Sequence, residues 1–344
     1  MSDRYRRQKS FSQIGESGQQ KLAASKVVIC GVGALGSMVV ERLCRAGVGN
    51  LTLVDRDWVE WDNLPRQTLY TEEDAELANP KAKSCTEHLR RINSELAIDF
   101  YVTDLHSENI ERLIGHPDLI IDGTDNFETR YLINDYACKH RIPWIHGGVV
   151  GASGQTLTIL PGRTACLRCL LPDPPPAEQM QTCDSAGVLG PAVGIIANWQ
   201  AMEALKLLAS GPSAIDGDLR VFDCWQGEAR RLRLQRFEAS DNNPGCPACV
   251  QGQFEFLRGE RQSQAKVLCG RNTVQIVQDR SEPLALEAIA NRLSSECSVT
   301  ANAYFLKFQL GGLQWTLFRD GRALLTGTED IELARKLFSR YIGT

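Results

Sequence analysis

From Lys26 onward, short runs of apolar residues alternate with longer stretches in which apolar residues return every three or four positions. The runs KVVIC, NLTLVD (ending at Asp55), IDFYVTD, PDLIIDGTDN and IPWIHGG read as strands. Helices are expected through SMVVERLCRAG, from Lys81 to Ile92, through TRYLINDYACKHR, and through GIIANWQAMEALKLLASG with its terminal glycine stop. Strand and helix patterns in alternation describe βαβ units. The expected fold is α/β, with a mostly parallel sheet covered by helices on both faces. RVFDCW and RRLRLQRF read as further strands.

Two stretches interrupt this rhythm. PDPPPAEQMQ, residues 172–181, is rich in proline and polar residues and reads as a mobile linker or crossing loop. Composition changes after Cys249. NTVQIVQ, LALEAIANRLSS, YFLKFQL, LQWTLFRDGRALLTG and IELARKLFSRYIG describe a small α+β domain, with Asp320-Gly321 as a hairpin turn. Two domains are therefore expected, residues 1–250 and 251–344.

Composition excludes several classes. The chain has 344 residues, 43% hydrophobic and 23% charged, which is ordinary for a globular protein. A formal net charge of -4 supplies no basic field for nucleic acid or for an anionic membrane. The polar start MSDRYRRQKSFSQ lacks an apolar secretory core, and no apolar run is long enough to span a bilayer, so a cytoplasmic location is expected. Twelve cysteines then point to metal rather than disulfides.

The candidate chemistry begins at KVVICGVGALGSMVV. Gly31, Gly33 and Gly36 follow the GxGxxG spacing, which lets amides at a helix N-terminus approach a phosphate. Asp55, at the end of the second strand, is placed to hold ribose hydroxyls. These two features alone are shared with NAD-dependent oxidoreductases. The next stretch, DRDWVEWDNLPRQTLY, sets Asp57, Asn63, Arg66 and Gln67 behind the carboxylate, and an arginine there serves a triphosphate better than a nicotinamide. Far along the chain, CLRC (Cys166, Cys169) and CPAC (Cys246, Cys249) form two metal-type pairs, consistent with a closed, structural zinc site of four cysteines. Cys30, Cys44, Cys85, Cys138, Cys224 and Cys297 lie in expected elements and read as core residues.

With NPKAKS, IDGTDNFETR, RYRRQ and the CxxC pairs, the chain resembles the ThiF/MoeB/HesA family, bacterial relatives of ubiquitin-activating enzymes, from about Arg4 to Cys249. The remainder resembles the extra C-terminal domain of longer ThiF-type members. The resemblance implies a Rossmann-like fold and ATP-dependent adenylation of the C-terminal Gly-Gly carboxylate of a ubiquitin-like sulfur carrier, releasing pyrophosphate and leading to thiocarboxylate formation for thiamine biosynthesis. A molybdopterin-type or other specialised carrier is the alternative. It further implies Mg2+, a separate sulfur donor protein, a homodimer, and no nucleic-acid or membrane partner.

By position, Asp55 matches the ribose ligand, Arg66 and Lys81 the phosphate-contacting cations, Asn63 a nucleotide contact, and Asp125 the carboxylate associated with Mg2+. Arg7 matches an arginine supplied by the partner subunit. Ala34 stands where many relatives carry a third glycine, and its small side chain preserves the turn. Cys183 matches a cysteine that relatives link covalently to the carrier, or it is a small buried or merely exposed thiol. Cys269 reads as structural. Plainer roles stay open for several of these residues: a solvated tail for Arg7, helix capping for Asp125 and Asn126, and a surface position for Lys81. An inactive scaffold of the same fold would be expected to lose the cations or Asp125, and all are present.

Overall fold

The computed structural model describes residues 3–175, 183–241, 243–261, 265–268, 272–276, 284–319 and 321–342, and of residues 183–184 and 265–268 the backbone alone. Contacts divide the chain into two compact units, Met1–Gln262 and Ser263–Thr344.

The strands of the first unit are β1 (Lys26–Cys30), β2 (Asn50–Asp55), β3 (Ala97–Val102), β4 (Leu119–Asp122), β5 (Trp144–Val150), β6 (Ser153–Ile159), β7 (Leu219–Asp223) and β8 (Glu228–Leu232). They form one eight-stranded sheet in the order β3-β2-β1-β4-β5-β6-β7-β8. Pairing is parallel from β3 to β5 and antiparallel from β5 to β8. β6 was not anticipated from the sequence. It follows β5 through a tight turn in which Gly151 has φ +61°, a conformation suited to glycine. β8 ends at Leu232, so only the first part of RRLRLQRF is strand.

Alternate residues of the central strands enter two different cores, as the two-residue period of a strand requires. Val27 and Ile29 of β1, with Leu119 and Ile121 of β4, pack beneath helices Ala34–Ala46, Lys81–Ile92 and Gly190–Ser210. Val28, Cys30 and Ile120 face the other way, onto helices Ile110–Ile114 and Phe127–His140. Both faces are thus covered, which explains the near-continuous apolar runs. Helix Gly190–Ser210 starts ahead of the expected Gly194, with Pro191 in its first turn where the missing N–H is harmless.

Of the cysteines read as core, Cys30, Cys44 and Cys85 are buried, whereas Cys138, Cys224 and Cys297 are half-buried at the margins of the cores. Most of the 172–181 loop, Asp320 and Cys269 lie outside the described residues.

The second unit contains β9 (Ala265–Leu268), β10 (Thr273–Ile276), β11 (Val299–Ala301), β12 (Phe305–Leu310), β13 (Leu313–Phe318) and β14 (Ala323–Thr326), paired antiparallel in the order β11-β12-β13-β14-β10-β9. Its core joins Trp315, Leu317 and Phe338, the last from helix Ile331–Tyr341.

The first helix after β1 crosses the sheet very closely. A Cβ on Gly36 would lie 1.8 Å from the Gly31 carbonyl oxygen, whereas one on Gly33 would meet nothing nearer than 3.9 Å. Gly36→Ala is therefore expected to lower stability by about 1–3 kcal/mol or more through overpacking, while Gly33→Ala changes it little. Urea unfolding midpoints of the two variants decide this. Equal midpoints would contradict the close crossing.

Candidate active site

The carboxyl ends of β1, β2 and β4 open on one edge of the sheet, where ligands of open α/β sheets bind. Gly31, leaving β1 with φ +82°, donates its N–H to Val54 O at 2.8 Å. A Cβ on Gly31 would sit 2.9 Å from the Gly123 carbonyl carbon, and one on Gly123 would sit 2.5 Å from Gly31 O. Three glycine backbones (Gly31, Gly36 and Gly123) therefore interlock, the last of them not singled out from sequence. Helix Ala34–Ala46 begins at Gly33 with no side-chain cap. Its first amides and positive dipole end are left for an anion.

Asp55, at the tip of β2, is 9% exposed. Its carboxylate accepts the Val32 N–H and the Asp57 N–H, each at 2.7 Å, which fixes its orientation toward the glycine turn. Burial pushes its pKa up to about 6, and the Asp57 charge adds to this against the opposing pull of Lys81. Lys81 opens helix Lys81–Ile92 and is 7% exposed, with Nζ 3.4 Å from Asp57 Oδ2. A lysine buried to this depth is not the surface lysine that its position after Pro80 allowed. The Tyr70 hydroxyl ties the parts together, donating to Val32 O at 2.6 Å while lying 3.3 Å from Lys81 O.

The residues behind Asp55 divide by role. Asn63 is buried and shapes its own loop, accepting the Glu60 N–H at 3.1 Å and donating to Asp62 Oδ1 at 2.9 Å. Arg66 is half-buried and donates to Asp62 O. Gln67 is 3% exposed, its amide nitrogen is the nearest atom to a Cβ built on Gly33, and its Oε1 makes no hydrogen bond among the described residues. An orphaned buried acceptor against the turn, together with a cradle that a side chain would fill, fits a bound nucleotide.

Beyond β4 the chain turns through Gly123 to Asn126. Asn126 caps helix Phe127–His140, accepting the Thr129 N–H at 2.8 Å, so the capping role holds for this residue. Asp125 beside it is exposed, and its charge is felt by Arg56. Sequence reasoning missed what supports this turn. Asp122 is fully buried and accepts from Thr124 N at 2.9 Å and Thr124 Oγ1 at 2.6 Å. Its second oxygen lies 2.8 Å from His146 Nδ1 and 3.3 Å from Arg130 Nε. Burial alone would raise the Asp122 pKa, but the Arg130 charge and these hydrogen bonds hold it below the usual value. Burial lowers the His146 pKa, so the ring is neutral and donates from Nδ1. Arg130 Nη2 also donates to Thr124 O at 2.7 Å, closing the turn from outside. The signal available in the sequence was Arg130, which ends the GTDNFETR motif.

Arg7 is not among these residues. It is exposed on helix Arg6–Lys9, which docks on the far end of helix Ala34–Ala46 through Gln8 Nε2 to Ala46 O at 2.9 Å. A 13-residue helix separates that end from the glycine turn. At 1.5 Å per residue this is roughly 20 Å.

Cys166, Cys169, Cys246 and Cys249 come together with all four sulfurs within 4.8 Å of one another. Neighbouring sulfurs are 3.5 Å (Cys166–Cys246), 3.5 Å (Cys169–Cys249) and 3.9 Å (Cys166–Cys169) apart. Tetrahedral zinc with arms of about 2.3 Å demands about 3.8 Å between sulfurs, so the donor set fits zinc with no open position. Cys183 heads helix Cys183–Ala186, which ends where the Gly151 N–H meets Gly187 O at 2.9 Å, at the carboxyl end of β5.

Comparison with known proteins agrees with this geometry. The profile of the ThiF family matches residues 5–248. The sulfur carrier protein ThiS adenylyltransferase of Bacillus subtilis is 44% identical over 344 residues, spanning 100% of both chains. The SAMP-activating enzyme E1 of Haloferax volcanii is 34% identical over 255 residues, 74% of this chain and 91% of its own. Among solved structures, E. coli MccB with ATP superposes with a TM-score of 0.61 at 22% identity, covering 72% of this chain and 75% of that one. That likeness establishes a shared fold.

The cysteine geometry predicts one tightly held zinc per chain that survives desalting. Its removal by a strong chelator, or Cys166→Ser, should cost about 3 kcal/mol or more and lower the melting midpoint by roughly 6–12 °C. Metal analysis alongside calorimetry checks this, and protein that melts unchanged after metal loss would refute it.

Proposed function

The chain belongs to the ThiF family, and from that premise we propose that it adenylates the C-terminal Gly-Gly carboxylate of a ubiquitin-like sulfur carrier of the ThiS type, using ATP and releasing pyrophosphate. One observation carries the reading. The uncapped end of helix Ala34–Ala46, the doubly held Asp55 carboxylate and the buried Lys81 ammonium meet at a single edge of the sheet. They offer an anion site, a ribose acceptor and a cation, which together suit a nucleoside triphosphate. A dinucleotide site would leave Lys81 without a purpose.

A carboxylate is a weak nucleophile, so the protein's task is to hold it in line with the α-phosphorus and to neutralise the departing pyrophosphate. Asp55 accepts from the ribose hydroxyls. Gln67 Oε1 takes a donor from the nucleotide. The Gly31–Gly36 turn receives a phosphate, and Lys81 and Arg66 balance its charge. Lys81 exchanges its long Asp57 contact for phosphate oxygens when ATP enters. Asp125 would hold Mg2+, which when bound would neutralise phosphate charge. The Asp122–Arg130–His146 cluster keeps Asp125 in place without touching substrate.

Arg7 acts on the site of a partner subunit in a homodimer. The position of helix Arg6–Lys9, a full helix length from its own glycine turn, supports that reading. Cys183 lies at the same sheet edge as the nucleotide site and is suited to a covalent link with the activated carrier, sulfur coming from a separate donor protein. The cysteine-bound zinc is structural.

ATP–pyrophosphate exchange that depends on a ThiS-type carrier is the expected activity, and Asp125→Ala should reduce it by about 100- to 1000-fold with the fold intact. Exchange at the parent rate in that variant would remove Asp125 from the mechanism. Stronger exchange with a molybdopterin-type carrier would redirect the substrate assignment.

Mixed dimers of Arg7→Ala and Asp125→Ala subunits should regain activity, because one of their two sites is complete. Verified heterodimers that stay inactive would show that Arg7 does not cross between subunits.

A further inference from the structure

At the opposite edge of the sheet, three further side chains of metal-ligand type come together. Helix Ile110–Ile114 and the turn after it lead into β4, and helix Phe127–His140 leads into β5, so both connections meet at the amino-terminal ends of these strands. There a carboxylate oxygen of Glu111 and a ring nitrogen from each of His116 and His140 lie within 4.8 Å of one another. We propose that Glu111, His116 and His140 form an exchangeable binding site for a divalent transition-metal ion of the Zn2+ type, separate from the four-cysteine centre.

The donor set is the first argument. Two imidazoles and one carboxylate are ligands that zinc and its neighbours accept at about 2.0–2.2 Å, and three protein ligands leave room for water. Such an open, solvent-facing site exchanges its ion, whereas the closed thiolate site retains it.

The second argument is the state of His140. Its Nε2 is shielded from solvent and lies 3.3 Å from Glu111 Oε2, yet makes no hydrogen bond among the described residues. Sheltered ring nitrogens are normally satisfied, and a coordinated ion would satisfy this one. The ring is also held in position. It packs on Tyr136 with centroids 4.4 Å apart, and the Tyr136 hydroxyl donates to Gly115 O at 2.8 Å, the residue before His116. One tyrosine therefore ties the His140 ring to the turn that presents His116. The two imidazoles meet edge to face at 5.3 Å between centroids. Glu111 and His116 are exposed and free to close on the fixed ring.

A metal here would pin together the two crossovers that flank β4 and would stabilise the sheet from the side away from the nucleotide. It needs no part of the adenylation reaction. The competing account is a plain Glu111–His140 ion pair with no affinity for metal.

The test uses the full chain with zinc already in its cysteine centre, titrated with Co2+ and, separately, Zn2+. A second equivalent is expected. With Co2+ it shows weak visible bands without thiolate charge-transfer absorption. In 15N imidazole spectra, only His116 and His140 of the five histidines should respond to Zn2+. His116→Ala and Glu111→Gln, both at exposed positions, should weaken this binding at least tenfold while the cysteine-bound zinc stays at one per chain. Absence of a second equivalent overturns the proposal in favour of the ion pair. Binding unchanged in both variants, or responses confined to other histidines, overturns it as well.

Discussion

Backbone meets backbone where helix Ala34–Ala46 leaves the sheet, and the placement of the candidate active site follows from that contact. Gly31, Gly36 and Gly123 approach so closely that a Cβ on any of them would collide with main-chain atoms of another. This brings the turn after β4 against the turn after β1, so the loop carrying Asp125 shares an edge with the helix N-terminus. A side chain at any of the three positions would pry the β1 and β4 connections apart. The glycines thus serve packing as much as phosphate access.

Charge at this edge is arranged with little solvent to screen it. Asp55 is buried enough that its pKa rises to about 6, and two backbone amides hold it in one orientation. Asp122 is buried more completely, yet its pKa falls, because Arg130 and hydrogen bonds from Thr124 and His146 supply what water would have given. The contrast assigns different tasks to the two carboxylates. Asp122 has its partners within the protein and supports a turn. Asp55 is held by two backbone amides, which suits the ribose contact proposed for it.

The antiparallel half of the sheet serves other ends. β6, β7 and β8 extend the parallel core by antiparallel pairing, with helix Gly190–Ser210 between β6 and β7, and the chain then returns so that Cys246 and Cys249 reach Cys166 and Cys169. Zinc held at this cluster would close a long stretch of chain that includes the proline-rich loop. Residues on both sides of that loop are anchored, by the cysteine centre on one side and by the Gly151–Gly187 contact on the other. The second anchor sets the backbone of Cys183 toward the sheet edge that carries the candidate active site.

Much of this was legible in the amino-acid order because it depends on local patterns. Apolar runs in alternation with helical periods specify βαβ units, and burial of both strand faces makes those runs continuous. GVGALG and the acidic end of β2 are local to one turn and one strand. The CxxC spacing reflects ligand geometry within single turns. Other features depend on which turns become neighbours, and only the folded chain decides that. Gly123 matters because β4 pairs with β1. Lys81 is buried because Tyr70 and Asp57 pack over the start of its helix. His146 and Arg130 join Asp122 because β5 and the helix that connects β4 to β5 both pack against the end of β4. Glu111, His116 and His140 meet because the crossovers before and after β4 end side by side. Strand order and crossover packing set these distances, and a linear string encodes them only through the balance of all its contacts.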